Sequence, residues 1–178
     1  GIYNRNREFF TTISPSMDIL ISSNLERLLY SVSGSENVTA WMKQLSAEGK
    51  YEVDAATLET IKTMFDAGCC DDTDTKATIA KVFNEKNYLC DTHTAVAAAV
   101  YDKYVKETGD DTVTVIASTA SPYKFARSVM NAIDSKYDSM SDFELIDELC
   151  KISNVAVPNA IEEIRTAPVL HKTECEKD

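Results

Sequence analysis

The sequence predicts a mixed α/β chain that is mostly helical, with a parallel sheet that is incomplete. Residues 112–117 carry Val113, Val115 and Ile116, the β-branched character of a strand covered on both faces. The strand runs into the small, hydroxyl-rich turn Ser118-Thr119-Ala120-Ser121 and then into a helix at 122–133, where Pro122 suits the first helical position and Ser121 the cap. Nearly all the remaining apolar pattern is helical, so the partner strands such a sheet needs are few.

From the start, residues 11–13 read as a short strand, after which Ser14-Pro15 turns the chain. Ser23 and Glu26 make a capping box for a helix whose stripe is Leu25, Leu28, Leu29 and Val32, ending before Gly34. Residues 17–21 either extend that helix or pack as an irregular segment. Val38, Trp41, Met42 and Leu45 follow helical spacing, with Gly49 in the usual terminating position. Asp54 caps a helix bearing Leu58, Ile61, Met64 and Phe65 that closes near Gly68, and another at 74–84 turns Ile79, Val82 and Phe83 inward. These three are expected to form a helical subdomain at 35–87, between an opening segment and helix at 1–34 and a last portion at 88–178.

Asp91 or Thr92 opens a helix through about residue 107, whose Ala95, Ala97, Ala98 and Ala99 allow close packing. Ser141 and Glu144 form a second capping box before Phe143, Leu145, Ile146 and Leu149. The final Glu- and Lys-rich residues read as a frayed tail.

The 178 residues suffice for one compact domain. A formal net charge of −11 argues against nucleic acid or an anionic membrane as partner, since both are polyanions. No apolar run approaches the roughly 20 residues that span a bilayer, and no signal-peptide pattern opens the chain, so a soluble, cytoplasmic protein is expected. The five cysteines are an odd, poorly spaced set, which suits a reducing compartment better than a disulfide framework. With His93 and His171 the only histidines, no metal site is expected. The glycines, at positions 1, 34, 49, 68 and 109, are scattered, so no Gly-rich loop cradles a phosphate.

Three stretches carry a resemblance. They are Asn6-Arg7-Glu8-Phe9-Phe10 leading to Ser14-Pro15-Ser16-Met17-Asp18-Ile19-Leu20 and Ser23-Asn24-Leu25-Glu26-Arg27; Asp91-Thr92-His93-Thr94-Ala95-Val96; and Thr119-Ala120-Ser121-Pro122-Tyr123-Lys124-Phe125. In kind, order and approximate separation they resemble the C-terminal part of the threonine synthase family, pyridoxal-phosphate enzymes of the tryptophan-synthase-like (type II) fold. The likeness extends from Gly1 to the Pro168-Val169-Leu170-His171 region. It implies the C-terminal portion of that fold, pyridoxal 5'-phosphate as cofactor of the full-length enzyme, and conversion of O-phospho-L-homoserine and water to L-threonine and phosphate.

By the same resemblance Thr119 hydrogen-bonds the cofactor's pyridine nitrogen, a neutral hydroxyl that does not force the ring to protonate. The other reading of Thr119 is a turn hydroxyl bonded to backbone. Ser14, Ser16, Asp18 and Asn24 match a segment that faces cofactor and substrate, although capping and turn formation explain the same residue types. Lys124 either helps hold an anionic substrate or is a solvated lysine. The family places its Schiff-base lysine upstream of the matched part. The chain, which opens without Met, is therefore expected to be a fragment that carries no catalytic residue and is inactive alone. Asp91 and His93 read better as a helix cap and first-turn residue than as an acid–base or metal pair. The rival from another class is a non-catalytic acidic helical module that binds protein partners; other type II pyridoxal enzymes are nearer rivals.

Overall fold

The computed structural model describes residues 1–176 and is mostly helical, dividing into two compact units. The first comprises residues 1–72 and 100–111, the second 73–99 and 112–178.

The first unit is organised around a long helix and a short sheet. The helix, α1 (Ser23–Glu48), is broken at Gly34, whose φ of 80° and ψ of 174° no helix contains. Gly49 ends it in the left-handed conformation, as its lack of a Cβ allows. The chain then enters β2 (Lys50–Glu52), which pairs antiparallel with β1 (Ile2–Asn4), Tyr3 opposite Tyr51. Tyr51 packs between Tyr3, 4.9 Å away centroid to centroid, and Trp41 at 6.3 Å, over a core completed by Leu29, Val38 and Val53. Burial, with the charges of Tyr3 and Glu26, pushes the Tyr51 hydroxyl up to about 12. Asp54 caps α2 (Ala55–Lys62), accepting from the Thr57 backbone N–H at 2.9 Å and its hydroxyl at 2.8 Å.

The second unit holds most of α3 (Asp72–Lys86), the first half of α4 (Thr92–Thr108), a 3₁₀ turn at Pro122–Phe125, α5 (Ala126–Ile133), α6 (Asp142–Ser153) and α7 (Asn159–Thr166). Ile79, Ala95, Val129, Met130, Leu145 and Leu149 are its fully buried apolar residues. The Ser141–Glu144 capping box is complete, both reciprocal bonds being made.

Several expectations are corrected. Residues 112–117 join no ladder, and Val113 and Val115 are 95% and 90% exposed. The sheet among the described residues is the two-stranded antiparallel pair alone, so no parallel sheet forms. The β-branched pattern is present, but a strand exists only through its neighbours, and among the described residues none pairs with it. Residues 11–13 are no strand either, because the Thr12 and Ile13 N–H groups donate to the carboxylates of Asp18 (2.6 Å) and Asp72 (3.0 Å). The cap of α1 is Ser22, not Ser23, and makes no side-chain bond. α2 stops at Lys62, leaving Met64 and Phe65 exposed. Of the tail read as frayed, residues 177 and 178 lie outside the described residues.

Candidate functional site

The hydroxyl-rich turn at 118–121 belongs to the second unit. Ser121 does the capping there: its Oγ accepts from the Tyr123 N–H at 3.3 Å, and its carbonyl accepts from the Lys124 N–H at 3.0 Å. Thr119 is exposed and makes no hydrogen bond among the described residues. Its hydroxyl is therefore not consumed by the turn.

One residue earlier, Ser118 is held by one side chain from the start of α4 and one from the segment before it. Thr94 Oγ1 lies 3.0 Å from Ser118 Oγ, and the Tyr88 hydroxyl approaches the same oxygen at 3.3 Å. Thr94 also donates its hydroxyl to Asp91, which is fully buried and accepts from the backbone N–H groups of His93 (2.8 Å) and Thr94 (3.2 Å). Asp91 is thus the cap of α4, an anion at the positive end of the helix. The His93 ring meets Phe125 edge-on with centroids 4.8 Å apart, joining α4 to the 3₁₀ turn. Burial, followed by the charge of Asp91, pushes the Cys90 thiol up to about 11. Tyr123, buried, donates its hydroxyl to the Val155 carbonyl.

Lys124 is exposed, with its Nζ 5.5 Å from the Phe125 ring centroid. The remaining sequence-derived residues lie in the first unit. Ser14 is 2% exposed; its N–H donates to Thr12 Oγ1 at 3.0 Å and its carbonyl closes a 3₁₀ turn at Pro15–Met17. Ser16 sits exposed within that turn. Asp18 accepts both the N–H and the hydroxyl (2.8 Å) of Thr12, so its carboxylate fastens the loop. Asn24 is exposed and its Oδ1 accepts from Arg27 at 2.6 Å. An open cavity of about 600 Å³ lies beside this segment, lined among others by Arg5, Phe9, Asp18, Ser22 and Tyr51; Ser14, Ser16 and Asn24 are not in its wall.

Two parts of this picture lay beyond sequence reasoning. Tyr88 and Thr94 reach Ser118 across 30 and 24 residues, a distance over which no local spacing rule applies. Among the described residues no group of three or more His, Cys, Asp or Glu is arranged to hold a metal ion, and no helix is long and apolar enough to cross a membrane.

Comparison with known proteins gives this geometry its context. Residues 94–169 match the family model described as threonine synthase, C-terminal. Threonine synthase of Saccharomyces cerevisiae is 34% identical over 92% of this chain and 38% of its own length. Human threonine synthase-like 1 is 34% identical over 74% of this chain and 18% of its own. Among solved structures, yeast threonine synthase superposes with a TM-score of 0.75 at 32% identity, over 94% of this chain and 34% of that one. The PLP-bound threonine synthase of Brucella melitensis gives 0.64 at 31%, over 88% and 32%. The chain spans little more than a third of the curated yeast relative. Sequence and fold agree along nearly all of it, and the chain belongs to the threonine synthase family as a counterpart of the C-terminal part of its members.

Proposed function

We propose that this chain is the C-terminal part of a pyridoxal-phosphate-dependent threonine synthase of the cytoplasm, acting on O-phospho-L-homoserine and water to give L-threonine and phosphate. The observation that carries this reading is the division of labour in the 118–121 turn: Ser121 supplies the cap, and the Thr119 hydroxyl is left exposed and unbonded. That arrangement fits a ring-nitrogen partner for pyridoxal phosphate, because the hydroxyl can donate without first breaking a bond within the protein. When bound, the cofactor supplies an electron sink for the bonds broken beside the substrate's nitrogen-bearing carbon.

The chain's own residues bind and orient. Thr119 donates to the pyridine nitrogen and, being neutral, leaves the ring unprotonated, which tempers the sink and suits elimination followed by addition. Lys124, exposed beside that turn, offers a cation to an anionic substrate group. Ser16 and Asn24, both exposed, offer short polar groups to substrate, whereas the buried Ser14 acts by holding the Pro15–Met17 turn. Asp18, an acceptor already holding Thr12, keeps the loop in shape and suits an ammonium group better than a phosphate. The Gly-rich phosphate cradle and the Schiff-base lysine are assigned to other parts of the full-length enzyme.

The test is to supply the full-length protein, loaded with pyridoxal phosphate, with O-phosphohomoserine and to measure phosphate and threonine together. Equimolar release of both is expected. Absence of turnover with a protein that binds the cofactor would move the reading to another pyridoxal enzyme of this fold, and absence of cofactor binding would leave the acidic helical module as the better description.

A further inference from the structure

We propose that Asp91, Thr94 and Ser118 are positioning residues for Thr119, linked by a hydroxyl relay that fixes the ligand-facing turn to the N-terminus of α4. This rests on the assignment of Thr119 to the cofactor. The segment leading into the turn has no ladder of its own, and Val113 and Val115 stand in solvent. Even where a neighbouring strand holds 113–116, Ser118 and Thr119 lie beyond it, and fixing each residue's backbone costs about 1–2 kcal/mol. The side-chain bonds at Ser118 supply a restraint one residue before Thr119.

Proton counting orders the relay. A hydroxyl has one proton to give, and the buried carboxylate is the strongest acceptor present, so Thr94 donates to Asp91 Oδ2. The 3.0 Å contact between Thr94 and Ser118 is then made by the Ser118 proton, and Tyr88 donates to Ser118 at 3.3 Å. Tyr88 donates at the head, and Ser118 and Thr94 each accept once and donate once, a directional chain ending on the charge of Asp91. Asp91 cannot move to follow the turn, because it is fully buried and holds the His93 and Thr94 N–H groups. With Ser118 turned to α4 and engaged, its neighbour Thr119 is left to face outward.

The experiment uses the full-length protein and pyridoxal 5'-phosphate as probe, with dissociation constants from visible-absorbance titration and kcat and KM for O-phosphohomoserine. Thr94→Val should weaken cofactor binding by about tenfold, the scale of one lost hydrogen bond, and move the bound absorbance maximum in the same direction as Thr119→Val. Thr94→Ser, which keeps the hydroxyl, should restore both. In a Thr119→Val background the further Thr94→Val change should have no effect on affinity, since the group being positioned is gone. Ser118→Ala, at an exposed position, serves as the second variant should Thr94→Val not fold. The relay is overturned if Thr94→Val weakens binding by the same factor in both backgrounds, or leaves it unchanged where Thr119→Val weakens it. If Thr119→Val alone changes neither affinity nor spectrum, the cofactor assignment itself fails and the relay with it.

Discussion

Asn6 lies so close over Gly49 that a Cβ placed on the glycine would sit 2.4 Å from Asn6 Oδ1 and 2.6 Å from Nδ2. The same Nδ2 donates to the Glu48 carbonyl at 3.0 Å, tying the end of α1 to the residues after β1. Gly34 also has a positive φ, yet open space surrounds it. With ψ at 174°, Gly34 lies in a region that essentially only glycine populates, so Gly34→Ala should cost about 1–3 kcal/mol for the backbone alone. Gly49→Ala should cost about 2–3 kcal/mol, the left-handed backbone penalty plus a displaced hydrogen bond. Urea unfolding checks this: in an Asn6→Ala background the cost of Gly49→Ala should fall by about 1 kcal/mol while that of Gly34→Ala stays the same. An unchanged Gly49→Ala cost in that background would show that the Asn6 contact gives way freely.

Thr92 is fully buried in the first turn of α4, and among the described residues its hydroxyl has no hydrogen-bond partner. Burying an unsatisfied hydroxyl is unfavourable, and valine keeps the shape without the polar atom. Thr92→Val should raise unfolding stability by about 1 kcal/mol, read as a higher urea midpoint with unchanged slope. A lower midpoint would mean that the hydroxyl is satisfied in solution.

The helices of this fold were largely legible, because their signals are local. Asp54, Gly49 and the Ser141–Glu144 pair fall where spacing puts them, and Ser121 takes the cap beside Pro122. The sheet was not legible. Its two strands are three residues each and 48 positions apart, too short to show alternation. Conversely, 113–117 has strand chemistry without a partner, so local preference was read as a structure that only neighbours can complete. Sequence likewise singled out the turn around Thr119, while the contacts that brace it come from Tyr88 and Thr94, far off in the chain.

The exposed Val113 and Val115 lead to a third expectation. In the full-length protein a neighbouring strand should cover this segment, since an unpaired apolar strand invites pairing. Hydrogen exchange should then find the amides of 113–116 protected, with opening energies well above those of fraying segments. Free exchange there would show that the segment remains a loop.

The Cys90 thiol, 1% exposed and held at about 11 by burial and Asp91, should stay protonated and unreactive at neutral pH. Iodoacetamide at pH 8 should label the exposed Cys69 and Cys175 and spare Cys90 until denaturant is added. The folded value lies above the ordinary 9.0, so the associated stability is fully present below pH 9 and is lost as pH rises towards about 11. Labelling of Cys90 at the rate of Cys69 would contradict its burial.

The central claim, that Thr119 faces the cofactor rather than the backbone, is tested most directly by comparing Thr119→Val with Thr119→Ser in the full-length protein. Pyridoxal phosphate affinity and turnover of O-phosphohomoserine are measured side by side with the unfolding midpoint. The predicted result is a loss of about 1–3 kcal/mol in cofactor binding or transition-state stabilisation for valine, near-native behaviour for serine, and no change in midpoint of the apo protein for either. An unchanged affinity and rate with a lowered midpoint for valine would contradict it, returning the Thr119 hydroxyl to the structure of the turn.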